Sequence, residues 1–197
     1  MQQNKISMKR FLALAFLLPA FHLLAQKPCE FSTNVTDSLG TYKTTKEYMI
    51  YEKNFGGNAS YIFNSIVVTD GTPMLDVQFI EKSFDFIKSK CLDKNSKLYF
   101  QLTNGRIVTL FHIDQDVCGT MIRDDKSMNN RVMTGHFMFK KDDYQYLKSS
   151  PISLMRIRFS TETVDYVIKK EFKSELNAET YEPENYFINF FHCIDDK

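Results

Sequence analysis

The chain has 197 residues, 25 Lys and Arg against 24 Asp and Glu, and a formal charge of +1. That balance excludes the dense positive footprint of a nucleic-acid binder and the polybasic patch of a protein held to anionic lipid. With 43% hydrophobic residues, 18 Phe and 10 Tyr but no Trp, the chain is long enough for one domain with a sizeable core.

The first element is a leader. Lys5, Lys9 and Arg10 precede an apolar run from Phe11 to Ala25 that contains Pro19 and His22 and ends in a small residue. This is the layout of a secretory signal peptide cut after Ala25, and it is shorter than the roughly 20 apolar residues of a membrane-spanning helix. Export is expected, to the periplasm or beyond, with no integral membrane segment in the mature chain. Residues 26–197 then form a single domain with 22 basic and 24 acidic side chains, a formal −2. Cys29, Cys91, Cys118 and Cys193 are an even count in an exported chain, which predicts two disulfides and leaves all three pairings open.

Strands follow. "CEFSTNV" and "YKTTKEYMIYE" flank a turn at "TDSLG", and the adjacent glycines of "NFGGNAS" break the pattern. "YIFNSIVV" and "MLDVQFI" join through Asp70-Gly71-Thr72-Pro73. With a loop of either two residues or four, Ile66 and Val68 share one face with Leu75 and Val77, while Ser65, Asp76 and Gln78 lie on the other. "SFDFIKSKCL" fits a helical face through Phe84, Ile87, Cys91 and Leu92 and fits a strand equally well. In "LYFQLTNGRIVTL", a two-residue turn at Asn104-Gly105 pairs Leu102 with Ile107, Phe100 with Thr109 and Leu98 with Phe111, and sets His112 across from Lys97.

"NNRVMTGHFMF" reads as a strand in which His136 is a hydrogen-bonded structural histidine. "DDYQYLKSS" predicts a short helix capped by Asp142 and stopped by Pro151. "ISLMRIRFS" and "TVDYVIK" form a hairpin about Thr161-Glu162, pairing Phe159 with Val164, Ile157 with Tyr166 and Arg158 with Asp165. In the tail, Phe187, Phe190, Phe191 and Ile194 recur as the buried stripe of an amphipathic helix over about 183–194. Together these elements predict a mainly β (α+β) domain: an antiparallel β-sandwich or partly open barrel built from hairpins, with a C-terminal amphipathic helix.

Four stretches, "CEFSTNVTDSLGTYKTTKEYMI", "KLYFQLTNGRIVTL", "SSPISLMRIRFST" and "YFINFFHCI", resemble segments of secreted, uncharacterised proteins from Bacteroidetes-type bacteria. The resemblance spans most of the mature chain and implies export through the inner membrane of a Gram-negative cell. Its segments are structural, and it implies no activity.

The chemistry-bearing residues are few. His112, Asp114, Asp116 and Cys118 alternate, and His112, Asp114 and Asp116 are the candidate metal ligands. Same-face residues on a flat strand lie roughly 6.6 Å apart, which keeps four such donors from approaching one ion to about 2.0–2.3 Å. An exposed strand end is the expectation there, with Cys118 in a disulfide. "DKNSK" and "DQDVCG" offer oxygen donors without the spacing of a calcium loop. There is no GxSxG, HExxH or phosphate-cradling glycine loop, and no cofactor is expected. His192 reads as a surface residue.

Tyr48, Tyr51, Tyr61, Tyr99 and Tyr144 are candidates for an aromatic binding face. Arg156 and Arg158 are candidates to hold an anion, with Asp165 expected to satisfy one of them. The favoured function is a non-enzymatic exported module that binds an envelope protein, a polysaccharide or a small ligand. The alternative is a small metal-dependent hydrolase using His112, Asp114 and Asp116.

Overall fold

Alternating apolar residues bounded by Gly, Asn and Asp turns give short strands, and these assemble by antiparallel pairing throughout. The computed structural model describes residues 27–38 and 40–194; the expected leader lies outside them. Eleven of the strands among these residues share one sheet: β1 (Phe31–Asp37), β2 (Gly40–Thr45), β3 (Tyr48–Phe55), β4 (Asn58–Thr69), β5 (Thr72–Ser83), β6 (Lys97–Leu102), β7 (Ile107–His112), β8 (Thr120–Arg123), β9 (Asn129–Met138), β10 (Ile152–Arg158) and β11 (Thr163–Val167). Their order is β1-β2-β4-β5-β9-β7-β6-β10-β11, with β3 also pairing β4 and β8 pairing β9.

Two short strands, β12 (Phe172–Lys173) and β13 (Thr180–Tyr181), pair separately. The helices are α1 (Tyr144–Ser149) and α2 (Tyr186–Phe190), the latter between 3-10 turns at Pro183–Asn185 and Phe191–Cys193. The mainly β class and the C-terminal helical segment are those expected. The sheet does not close into a barrel. It curls until Tyr51 of β3 meets Tyr166 of β11 edge-on, 5.1 Å between ring centroids. The main core fills the inside of the curl.

The β4–β5 hairpin has the expected faces. Asp70 and Gly71 both take positive φ, 48° and 76°, as a two-residue turn with right-handed strand twist requires. Ile66 then sits opposite Leu75, and both are fully buried with Val77.

The β6–β7 hairpin differs from expectation by one residue. The Gly105 N–H donates to Leu102 O at 2.9 Å and the Leu102 N–H to Arg106 O at 2.8 Å, with Gly105 at φ +82°. The loop therefore has three residues, with glycine in the left-handed bulge position. Leu98 pairs with Leu110 and Phe100 with Val108. A one-residue slip turns every side chain of β7 over. Val108, Leu110 and His112 point inward, while Ile107 and Phe111 point outward, 62% and 36% exposed.

The β10–β11 turn is displaced as well. Phe159 N–H donates to Glu162 O at 2.8 Å, which centres it on Ser160-Thr161. The partners move by two positions, so the predicted faces survive, but Arg156 and not Arg158 faces Asp165.

The ambiguous segment after β5 is neither helix nor strand; residues 84–91 are irregular, and Leu92 forms a single bridge with Val117. Leu92 is fully buried over Gly135 of β9, where a Cβ would come 2.4 Å from Leu92 Cδ1. Asp143, not Asp142, precedes α1, and it makes no side-chain cap.

In the tail, Phe187 packs edge-on against Phe100 and Phe139, and Phe191 against Phe139. Tyr186 joins them at 1% exposure, whereas Phe190 and Ile194 are only partly buried. Cys29 is bonded to Cys193 and Cys91 to Cys118. No helix among the described residues is long and apolar enough to cross a membrane.

Candidate functional site

The register of β7 decides the fate of the alternating segment. His112 is 6% exposed, so the expected exposed end is corrected for this residue alone, whose ring lies in the core, whereas Asp114, Asp116 and Cys118 beyond it are exposed. Its Nδ1 is 3.1 Å from Asp93 O, and its Nε2 has no hydrogen-bond partner among the described residues. Burial holds the imidazole below its ordinary pKa. The chain leaves the sheet after His112, and Asp114 and Asp116 are exposed. His112, Asp114 and Asp116 do not form a convergent ligand set. Among the described residues, the donor atoms of Cys29, His192 and Cys193 do converge. Both sulfurs there are joined to each other, and His192 Nε2 lies 3.2 Å from Cys29 Sγ. The reading of His192 as a simple surface residue is thereby corrected.

Asp114 meets a different histidine. On β9, His136 faces Asp76 of β5, with Nδ1 2.6 Å from Asp76 Oδ1 and Nε2 3.7 Å from Asp114 Oδ2. Burial pushes the Asp76 carboxyl up, and the His136 bond draws it down. His136 is thus hydrogen-bonded, as expected of a structural histidine. Its carboxylate neighbours were not legible, because β5 pairs with β9 across more than 40 intervening residues.

The same outer face continues onto β7, β6, β10 and β11, where the register lays out three rows of side chains. The first row is Phe111, Lys97, Arg158 and Thr163. The second is Thr109, Tyr99, Arg156 and Asp165, and the third is Ile107, Gln101, Leu154 and Val167. All twelve are partly or fully exposed. A shallow groove of about 440 Å³ runs over Tyr99, Gln101, Thr109, Leu154, Arg156 and Arg158.

Beneath the groove, Leu98, Phe100, Val108, Leu110, Met155 and Ile157 are completely buried, so the platform rests directly on the core. Arg156 Nε and Nη2 donate to the two oxygens of Asp165 at 2.5 and 2.6 Å. This planar fork holds the Asp165 carboxyl below the usual carboxylate range.

The five tyrosines proposed as one binding face separate. Tyr61 is 6% exposed, Tyr51 packs on Tyr166, Tyr48 on Tyr181 and Phe190, and Tyr144 on Phe139. Tyr99 alone of the five lines the platform groove. Comparison with family models, curated proteins and solved structures returns no match, so the residues themselves carry the functional argument.

Proposed function

We propose that this chain is an exported, non-enzymatic binding module of the cell envelope, and that the outer face of β6, β7, β10 and β11 is its recognition surface. The observation that carries this reading is the groove over Tyr99, Gln101 and Arg156, open to solvent and backed by fully buried side chains. A platform held by four paired strands presents its polar groups with little ordering left to lose on binding. Two disulfides and the leader-like first 25 residues support an oxidising, extracytoplasmic site. The resemblance to secreted Bacteroidetes-type proteins supports a Gram-negative envelope.

Calorimetric titration with a panel of neutral and acidic envelope polysaccharides tests the reading. At least one is expected to bind, with a tenfold or greater loss in a Tyr99→Ala, Gln101→Ala variant that retains the wild-type melting temperature. Equal binding by variant and wild type overturns the assignment of this surface.

The alternative, a metal-dependent hydrolase working through His112, Asp114 and Asp116, has less support because the His112 imidazole faces the core. Stoichiometric zinc in the purified protein, lost on Asp114→Ala, would favour it instead.

A further inference from the structure

Lys97 of β6 lies directly opposite Arg158 of β10. Directly opposed side chains of an antiparallel pair have their Cβ atoms about 4.5–5.5 Å apart, and like charges so placed repel. Neither side chain has a carboxylate within ion-pair distance among the described residues. The one acid on the platform, Asp165, is engaged two residues away by Arg156. Lys97 and Lys140 both lie over the Phe111 ring, at 5.3 and 5.1 Å, so three cations gather along the first row. The mature chain is otherwise close to neutral, so this concentration is local and not the overflow of a basic protein.

From this juxtaposition we infer that Lys97 and Arg158 form an anion subsite, and that its occupant is the carboxylate or sulfate group of an acidic polysaccharide. The inference rests on the platform being the recognition surface. An anion between the two cations converts their repulsion into two charge-assisted hydrogen bonds, and Arg158 can offer its planar fork to it.

The groups beside the subsite select the rest of the ligand. Gln101, Thr109, Thr163 and the Tyr99 hydroxyl supply donors and acceptors suited to a hydroxyl-rich chain, and the Tyr99 ring supplies an apolar surface for a sugar face. An extended acidic peptide fits less well. Peptides add to sheets through free backbone groups at an edge, and a strand added at β11 would lie beside the groove and not on its floor, where β6 and β10 are each paired on both sides.

The test uses the purified exported protein with its disulfides intact, titrated at low and high salt with polygalacturonate, heparin, neutral dextran and polyglutamate. At least one acidic polysaccharide is expected to bind, with affinity falling as salt rises. A Lys97→Gln, Arg158→Gln double variant is expected to bind it at least tenfold more weakly. The same variant should melt at the wild-type temperature or above, because the substitutions remove a repulsion. Loss of binding with unchanged or raised stability separates a ligand subsite from a structural role.

Failure to bind either acidic polysaccharide overturns the inference, as does binding unaffected by the double variant. Polyglutamate binding tighter than both polysaccharides and lost in the double variant also overturns it, in favour of an acidic peptide. Binding of dextran that is lost in Tyr99→Ala, Gln101→Ala but kept in the double variant overturns the anion subsite and leaves the platform intact. Binding insensitive to both variants overturns the platform itself.

Discussion

The His112 ring meets the Phe137 ring edge-on in the core between β7 and β9, with 5.6 Å between centroids. A histidine in this position is held neutral by burial, and its pKa in the folded chain lies below the ordinary 6.5. The unfolded chain takes up the proton near that value, so below it the unfolded state binds more protons than the folded one. Stability from this group is therefore complete above about pH 6.5 and declines as pH falls through the folded pKa. Urea midpoints measured from about pH 7.5 down to pH 5 should fall for the wild type, and His112→Gln should flatten that part of the profile. An unchanged slope in the variant would place the titrating group elsewhere.

Gly135 sets the distance between β9 and the irregular segment that carries Leu92. Its replacement by Ala brings a methyl group against Leu92 Cδ1 and the Phe137 ring, at 2.4 and 2.9 Å before relaxation. Because Leu92 and Phe137 are both fully buried, Gly135→Ala should cost about 1–3 kcal/mol, the usual range for overpacking. Adding Leu92→Val should restore part of that loss in a chemical denaturation experiment. Strictly additive losses would show that the two sites do not touch.

The three-residue turn of β6–β7 depends on Gly105 at φ +82°. Gly105→Ala should destabilise the domain by roughly 1–2 kcal/mol, and Gly105→Asn by less, since asparagine tolerates the left-handed region better. If alanine proves neutral by thermal melting, the loop has taken a different register.

The two disulfides close chain segments of very different length, with sequence separations of 164 and 27. On loop-closure entropy alone they contribute about 5 and 3.5 kcal/mol respectively. Cys29→Ser with Cys193→Ser should therefore lower the denaturation midpoint more than Cys91→Ser with Cys118→Ser. Peptide mapping before reduction should recover those two linkages and no others.

The tail is core and not an appendage. Fully burying Tyr186, Phe187 and Phe191 contributes on the order of 1.5–3 kcal/mol each before the cost of ordering the segment. Truncation before Pro183 removes all three and leaves Cys29 without its partner. The truncated chain should be unfolded or aggregated by circular dichroism and gel filtration. A truncated chain with an unchanged melting temperature would refute this placement.

Features set by neighbouring residues were legible in the sequence alone. Asp70-Gly71 readily takes the positive φ that a two-residue turn between strands needs at both positions, and the alternation of Ile66, Val68, Leu75 and Val77 then gives the buried face. The pattern of Phe187 and Phe191 marked an inward-facing helical turn for the same local reason. Asn104-Gly105 shows where such reasoning stops, because the same dipeptide serves a two-residue turn and a three-residue turn with a glycine bulge. The two alternatives differ by one residue of register, and the choice between them carries His112 from the surface to the core. The packing of Val108 and Leu110 against the inside of the sheet makes that choice, since the other register would expose both and bury Thr109. The candidate site is less local still. Lys97 meets Arg158, and Asp76 meets His136, only because β6 pairs with β10 and β5 with β9, strands far apart in the chain. Burial of the apolar residues on their inner faces selects those partnerships, and the polar residues on the outer faces follow them into place.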